Sequence, residues 1–451
     1  MLQNKDNYVL EHNLTQGITG SSAVEVSGSI EALIRAGELP ANAALPTVRE
    51  LAIQLALSPS TIAAAYKALR DRGLLVARGR RGTHVSPRPP IAFSSAAEFP
   101  EHVRNLSTGN PDRALLPDLG PALAGLDTAP RLYGEELIHP VLEELARADF
   151  ESDGIPADSV LVAGGAIDAI ERILQAHLRP GDRIAVEDPG FTGVLDLVPA
   201  LGLEAVPLAV DDSGPIPDSL AAAIEQGCEA VIVTPRAQNP TGAAVTAERA
   251  AALAPLLARA PELLLIEDDH MVRLEPEPYQ TLITPDRKRR AAVRSVSKSM
   301  GPDLRLALVA ADPVTAARVE GRQAVGARWV SFVLQQLVAA LWQDPETAAR
   351  IERAAGTYAR RRQGMLDALT AVGIAASGRT GHNVWVPVGD EASVVQGLLD
   401  LGWGVSAGQR FRTDSRPAIR VTIADLDESE APRFAADLAR VIAPKRRTRL
   451  A

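Results

Sequence analysis

The sequence predicts a chain of two unlike parts. A small basic module of helices and two short strands comes first, and a three-layer α/β body with a smaller α+β region follows. Three observations carry this reading. Helical spacing and a tight basic turn fill the first 86 residues. From about Asn110, short continuous apolar runs alternate with long Ala- and Leu-rich stretches, as in strands buried on both faces of a mostly parallel sheet. After about Pro313 helical stretches dominate, with isolated strands such as NVWVPV and AIRVTI. The expected partition is 1–86, a linker over 87–105, a large domain over 106–312 and a small one over 313–451.

Taken in order, residues 22–36 and 47–55 have helical period, with Ile30, Leu33 and Ile34 on one apolar face and Val48, Leu51, Ala52 and Leu55 on the other. Thr47 with Glu50 three residues on predicts a capping box. The turn ALSPS leads into a third helix that carries Ile62, Tyr66 and Leu69 and that Gly73 stops. LLVAR, GRRG and THV then read as two strands around a basic turn. This is a helix, a helix–turn–helix and a wing. Pro87 to Asn105 has no period and reads as a linker.

Charge separates the two parts. The chain carries −9 overall, yet residues 45–90 hold eight Lys or Arg against two acids, +6 net. A basic helix–turn–helix on an acidic body is what a specific DNA reader attached to a sensor looks like. The one cysteine, Cys228, excludes a disulfide within the chain and fits a reducing cytosol. No apolar run reaches transmembrane length, and the polar N-terminus is unlike a signal peptide, so a cytoplasmic protein is expected, with no membrane and no metal as partner.

In the large domain the polar residues fall at strand ends, where an open α/β sheet holds its ligand. GGAIDAIERIL places Gly165 and Ala166 at a strand-to-helix turn suited to an anion. EDPGF brings Phe191, TPRAQNPTG brings Asn239, and LLLIEDDH ends a buried strand with Asp268. Lys298 follows in RSVSKSMGPDLR, with Ser295, Ser297 and Arg305 around it. Each residue has a plain alternative: a core Phe, a turn-forming Asn, an Asp paired with a local Arg, a surface Lys. The ordered set is more specific than any member. A lysine for a Schiff base, an acid for a ring nitrogen, and hydroxyls with an Arg fork for a phosphate dianion together fit pyridoxal phosphate.

By these motifs residues of about 107–430 resemble a fold-type I aminotransferase. The resemblance implies that Lys298 forms the Schiff base and Asp268 pairs with the pyridine nitrogen. Asn239 would contact the ring hydroxyl and Phe191 would stack on the ring. Ser295, Ser297, Arg305 and the amides at Gly165 and Ala166 would hold the phosphate. Tyr133, in RLYGEE, would reach the phosphate of a neighbouring subunit, and Arg420, in AIRVTI, would clamp an effector carboxylate. One departure is His270, where relatives usually carry tyrosine. It can still donate to the ring oxygen, and with an ordinary pKa near physiological pH it is expected to tune the ring differently and weaken transamination.

Residues 45–85 resemble the winged helix–turn–helix of the GntR family. The resemblance implies that Ser58, Ser60 and Thr61 enter the major groove. Arg49 would contact backbone or base, Lys67 and Arg78 would meet phosphates, and Arg80, Arg81 and Gly82 would form the wing tip. Pro59 stands where many relatives have arginine. The two halves together resemble the MocR family of bacterial regulators, and the RSVSKSMGPDLRLALVAADP and EDDH runs look most like its pyridoxal-kinase-regulating branch. That implies a homodimer on operator DNA whose small-molecule effector is pyridoxal phosphate or its adduct with an amino compound. The alternative is a working aminotransferase with a reader appended.

Overall fold

The computed structural model describes residues 17–35, 39–40, 42–71, 73–77, 79, 82–86 and 99–443. The chain divides into two compact units, 1–95 and 96–451. In the first, α1 (Ala23–Arg35), α2 (Val48–Gln54) and α3 (Pro59–Asp71) bury Ile30, Leu51, Ile62 and Leu69 in one core. The Thr47 hydroxyl accepts the Glu50 N–H, and the Glu50 carboxylate accepts the Thr47 N–H at 2.8 Å. Two orphan donors of α2 are thereby satisfied reciprocally. Tyr66, buried in the same core, donates its hydroxyl to the Pro46 carbonyl at 2.8 Å and pins α3 to the entry of α2. Strands β1 (Leu75–Ala77) and β2 (Thr83–Val85) pair antiparallel, Val76 opposite His84.

The second unit opens with β3 (Arg104–Asn105), which pairs in parallel with β13 (Trp403–Gly404) near the other end of the chain. Its main sheet has the spatial order β4 (Ser159–Ala163), β11 (Ala307–Ala311), β10 (Arg290–Ser295), β9 (Leu264–Asp269), β8 (Ala230–Val233), β5 (Arg183–Asp188), β6 (Glu204–Asp211) and β7 (Gly214–Pro215). The pairs from β10 through β6 are parallel, whereas β11 runs antiparallel to both its neighbours and β7 antiparallel to β6. Alternate residues of each strand feed opposite faces. Val231, Leu265, Ala292 and Leu308 pack with α4 (Pro140–Ser152), α8 (Ala247–Arg259) and α10 (Phe332–Gln343). Ile232, Ile266, Val293 and Val309 pack with α5 (Ala166–His177), α6 (Thr192–Ala200) and α9 (Pro313–Ala324).

Two sequence expectations change here. The helices α9 and α10, placed after Pro313 in the small domain, cover the large sheet instead, because a helix's period does not say which sheet its apolar stripe meets. The interval 87–105, expected as a linker, ends inside the small core, where Leu106 is fully buried beside Trp403. Residues 87–98 lie outside the described residues. The small core adds β12 (Asn383–Pro387), β14 (Ser406–Ala407) and β15 (Ala418–Thr422), in the order β12-β15-β14, packed with α11 (Pro345–Ala371), α12 (Glu391–Asp400) and α13 (Ala431–Ile442). Among the described residues no helix is long and apolar enough to cross a membrane.

Strand β10 is not a continuous apolar run, because Arg290 and Arg294 interrupt its pattern. Both are buried and paired. Arg294 donates to Asp149 Oδ2 at 2.5 Å and to Asp153, and lies 3.6 Å from Asp269. Its guanidinium sits 4.7 Å from the Phe150 ring. Arg236 forks onto Asp269 at 2.6 and 3.1 Å. Removing one partner from such a network leaves charges buried and uncompensated. Arg294→Leu is therefore expected to destabilise the second unit by about 3–5 kcal/mol in urea titrations. A loss below about 1 kcal/mol would show that the acids find water or protons instead.

Candidate functional site

The polar residues expected at strand ends meet at the carboxyl edge of the main sheet. Ser295 lies opposite Ala307, and Ala307 opposite Ala163, so Ser295 and the Gly164–Gly165 turn occupy one edge two strands apart. Gly165 caps α5 at φ +112°, which directs the first-turn amides outward. A Cβ there would stand 2.7 Å from Arg305 Nη2, so glycine is needed both for the backbone angle and for the arginine's approach. Arg305 donates to the Gly164 carbonyl at 3.3 Å, and Ser295 to the Ser297 hydroxyl at 3.0 Å. Amides, hydroxyls and a guanidinium thus form a cradle with the chemistry of a phosphate site.

Strand β9 ends in three buried acids. Glu267 accepts from the Tyr279 hydroxyl at 2.9 Å, from Thr281 and from the Leu282 N–H, and burial still pushes it up to about 7. Asp269 is forked by Arg236 and held below the usual carboxylate range. Asp268 points to the opposite face, where its Oδ1 is buried with no hydrogen-bond partner. Burial, with Asp269 and Glu187 nearby, pushes it up to about 7. An unpaired buried carboxyl is costly, and a protonated ring nitrogen would relieve it. The residues present therefore fit pyridoxal phosphate.

Lys298 is largely enclosed and donates to the Gly109 carbonyl at 2.8 Å. Burial, with the Arg420 charge nearby, lowers its ammonium to about 8. Arg420, on β15, donates to Asn239 Oδ1 at 3.1 Å, to the Ser107 carbonyl at 2.5 Å and to the Ser406 hydroxyl at 3.4 Å. Burial and the neighbouring Arg410 lower it to about 9, and its Nε is buried without a partner. It is a cation met by neutral oxygens, as a carboxylate receptor would be. The contact occupies the oxygen of Asn239 and leaves its NH2 end to offer a phenolate. Phe191 caps α6 half-buried, and its ring lies where a Cβ on Gly193 would be 2.6 Å away.

His270 departs from the expectation of an ordinary pKa. Burial and the Lys298 charge lower it to about 4, so the ring is neutral at physiological pH and offers one N–H. Tyr133 is not brought to the cluster. It is 78% exposed, edge-on to Trp329 at 5.5 Å, with the Arg328 guanidinium 5.3 Å away. Sequence reasoning missed Glu187 and His382. Glu187 accepts from the Thr234 N–H and the Gln238 amide at 2.8 and 3.1 Å. His382 is 2% exposed, 3.2 Å from the Gly109 carbonyl. A lone His just before a strand carries no signal that could have found it. Among the described residues no cluster of His, Cys, Asp and Glu suits a metal.

In the first unit, Ser58 Oγ lies 2.7 Å from both Ser60 Oγ and Thr61 Oγ1 at the start of α3. Arg49 is exposed. Lys67 is exposed but paired with Asp71 at 2.5 Å, which compensates part of its charge. Gly82 takes φ +86° in the wing turn. Arg78, Arg80 and Arg81 lie outside the described residues.

Residues 101–438 match the family described as aminotransferase class I and II, and residues 22–85 match the bacterial regulatory proteins of the gntR family. The chain is 43% identical over 427 residues to the vitamin B6 salvage pathway transcriptional repressor PtsJ of Salmonella typhimurium, covering 93% of this chain and 98% of that one. It is 25% identical to the probable rhizopine catabolism regulatory protein MocR of Rhizobium meliloti, over 74% of each. Among solved structures, the multiple substrate aminotransferase of Thermococcus profundus superposes with a TM-score of 0.69 at 22% identity, over 76% of this chain and 92% of that one, which shows the fold. The chain therefore belongs to the class I and II aminotransferase family in its MocR-type form, a transcription regulator whose gntR-family DNA-binding domain precedes an aminotransferase-like domain.

Proposed function

We propose that this regulator senses pyridoxal phosphate, or its adduct with an amino compound, and controls vitamin B6 metabolism through operator DNA. The observation that carries the reading is the unpartnered Asp268 carboxyl across the sheet edge from a lysine that titrates at about 8. The Salmonella relative's name, a repressor of vitamin B6 salvage, supports the same direction. Bound here, pyridoxal phosphate would supply an aldehyde and an electron-withdrawing ring. Lys298 would attach it, Asp268 would hold the ring nitrogen's proton, and Asn239 and His270 would donate to the ring oxygen. Phe191 would cover the ring, and Ser295, Ser297, Arg305 and the amides at Gly165 and Ala166 would hold the phosphate. Arg420 would take an effector carboxylate.

The lysine must be neutral to attack a carbonyl. At pH 7 a group titrating near 8 is about one-tenth free amine, against about one part in three thousand for an ordinary lysine. The neutral form grows with pH. Attachment is therefore expected to quicken about tenfold per unit below pH 8 and to level off above it. Borohydride trapping at a series of pH values would measure this, and Lys298→Ala should abolish it. A flat profile from pH 6 to 9 would remove the lowered lysine from the account.

A homodimer belongs to the same reading. Leu132, Val325 and Val333 are exposed apolar residues, and Tyr133, next to Leu132 in sequence, lies edge-on to Trp329. A patch drawn from them would rarely stay open on a monomer. A second copy would cover it and bring the partner's tyrosine to the phosphate. Leu132→Glu is expected to shift sedimentation toward monomer and to weaken cofactor retention together. Unchanged sedimentation would place the dimer face elsewhere.

In the first unit, Ser58, Ser60 and Thr61 would enter the major groove, Arg49 would contact backbone or base, Lys67 and Arg78 would meet phosphates, and Arg80, Arg81 and Gly82 would approach the minor groove or phosphates as the wing tip. The deciding experiment is binding of the purified protein to its own upstream DNA, with and without pyridoxal phosphate, at one fixed salt concentration, since phosphate contacts make affinity salt-dependent. A change of affinity or half-site occupancy with the cofactor is expected. Specific binding that ignores the cofactor, both alone and with added amino compounds, would overturn the sensor reading.

A further inference from the structure

Residues 107–112 cross the site as a strap held by the ligand-binding groups themselves. Its near end is anchored by Leu106, whose N–H donates to the Gly404 carbonyl at 2.7 Å and whose carbonyl accepts from the Thr422 N–H at 2.8 Å. At its far end the Asp112 N–H donates to the Tyr358 hydroxyl at 3.0 Å, and Arg361 donates to the Asp112 carboxylate at 2.9 Å. Between these anchors, two carbonyls face the site. The Ser107 carbonyl accepts from Arg420 and from the Ser406 hydroxyl. The Gly109 carbonyl accepts from Lys298 at 2.8 Å and lies 3.2 Å from His382 Nε2. Gly109 takes φ +67°, and a Cβ there would stand 3.4 Å from the Arg420 guanidinium.

A carbonyl oxygen only accepts, so His382 Nε2 carries the proton in this contact. The ring is fixed from behind by Tyr358, edge-on at 5.8 Å. Lys298 and His382 therefore share one acceptor, but only the lysine is a reactant. When its amine condenses with an aldehyde, one C=N bond forms, one water leaves, and the nitrogen keeps at most one proton, directed by the new bond. The imidazole is untouched by that step. A carboxylate arriving at Arg420 would in turn compete with the Ser107 carbonyl.

We propose that His382 is the positioning residue that keeps the strap over the site once Lys298 is taken up by a carbonyl ligand. This rests on the reading of Lys298 as the attachment lysine. The strap follows directly on the segment 87–105 that leads from the DNA reader, so its hold on the site is a natural point for occupancy to be registered along the chain.

The test is hydrogen–deuterium exchange of residues 107–112 in the full-length protein, free and loaded with pyridoxal phosphate. In the free protein the lysine still holds Gly109, and His382→Leu should change strap exchange by less than about twofold. In the loaded protein the same substitution should accelerate it about five- to tenfold, the equivalent of one hydrogen bond. His382→Gln, which keeps a donor, should restore most of the loss. A purely structural role would give equal effects in both states, and that result overturns the proposal, as does strap exchange in the unsubstituted protein that ignores loading. If borohydride traps nothing at Lys298, the attachment reading fails separately. The strap claim is then decided by His382→Leu placed on Lys298→Ala, where acceleration is still expected and its absence refutes it.

Discussion

Three acids in a row at the end of a fully buried strand set the terms for the large unit. Strand geometry sends Glu267 and Asp269 to one face and Asp268 to the other. On the first face the protein supplies compensation at length: Tyr279, Thr281 and a backbone N–H for Glu267, and Arg236 and Arg294 for Asp269. Arg294 in turn draws Asp149 and Asp153 from the end of α4. A helix, a loop and two strands are tied together to make one pair of carboxylates tolerable. On the second face nothing comparable is built for Asp268.

The groups opposite Asp268 have the complementary lack. Lys298, Arg305 and Arg420 direct their hydrogen bonds to neutral oxygens of Gly109, Gly164, Ser107, Ser406 and Asn239. Neutral acceptors leave a buried cation less compensated than a carboxylate would. An acid without a cation and cations without acids are complementary to the ligand proposed above, one with a cationic ring nitrogen and anionic ends. The two histidines beside Lys298 are held neutral, so they add donors without adding charge.

The first unit solves a different problem. Among the described residues its core runs from Ile18 to Val85, and its surface at the start of α3 gathers three hydroxyls rather than charges. Hydroxyls can serve base edges or phosphates, while the formal positive charge lies mostly in and around the wing. That division suits positioning by charge and reading by short side chains. Joined to an aminotransferase-like body, it makes sense of a chain that is acidic overall and basic in one segment.

The sequence by itself determined the order of parts, because period and punctuation are local. Thr47 with Glu50 marked the start of α2, continuous apolar runs marked buried strands of a mostly parallel sheet, and Asn239, Asp268, Lys298 and Arg305 were legible as a set by their order along an α/β alternation. Local pattern also misled where charge is buried: Arg290 and Arg294 hid strand β10 although each is neutralised by acids more than a hundred residues away. Only the tertiary structure decided that α9 and α10 cover the large sheet, that β3 closes on β13, and that Gly109 and His382 come together over Lys298. It also decided the protonation of the site. Desolvation moves Lys298, His270 and Asp268 toward neutrality, and burial belongs to the folded environment and not to the residue type.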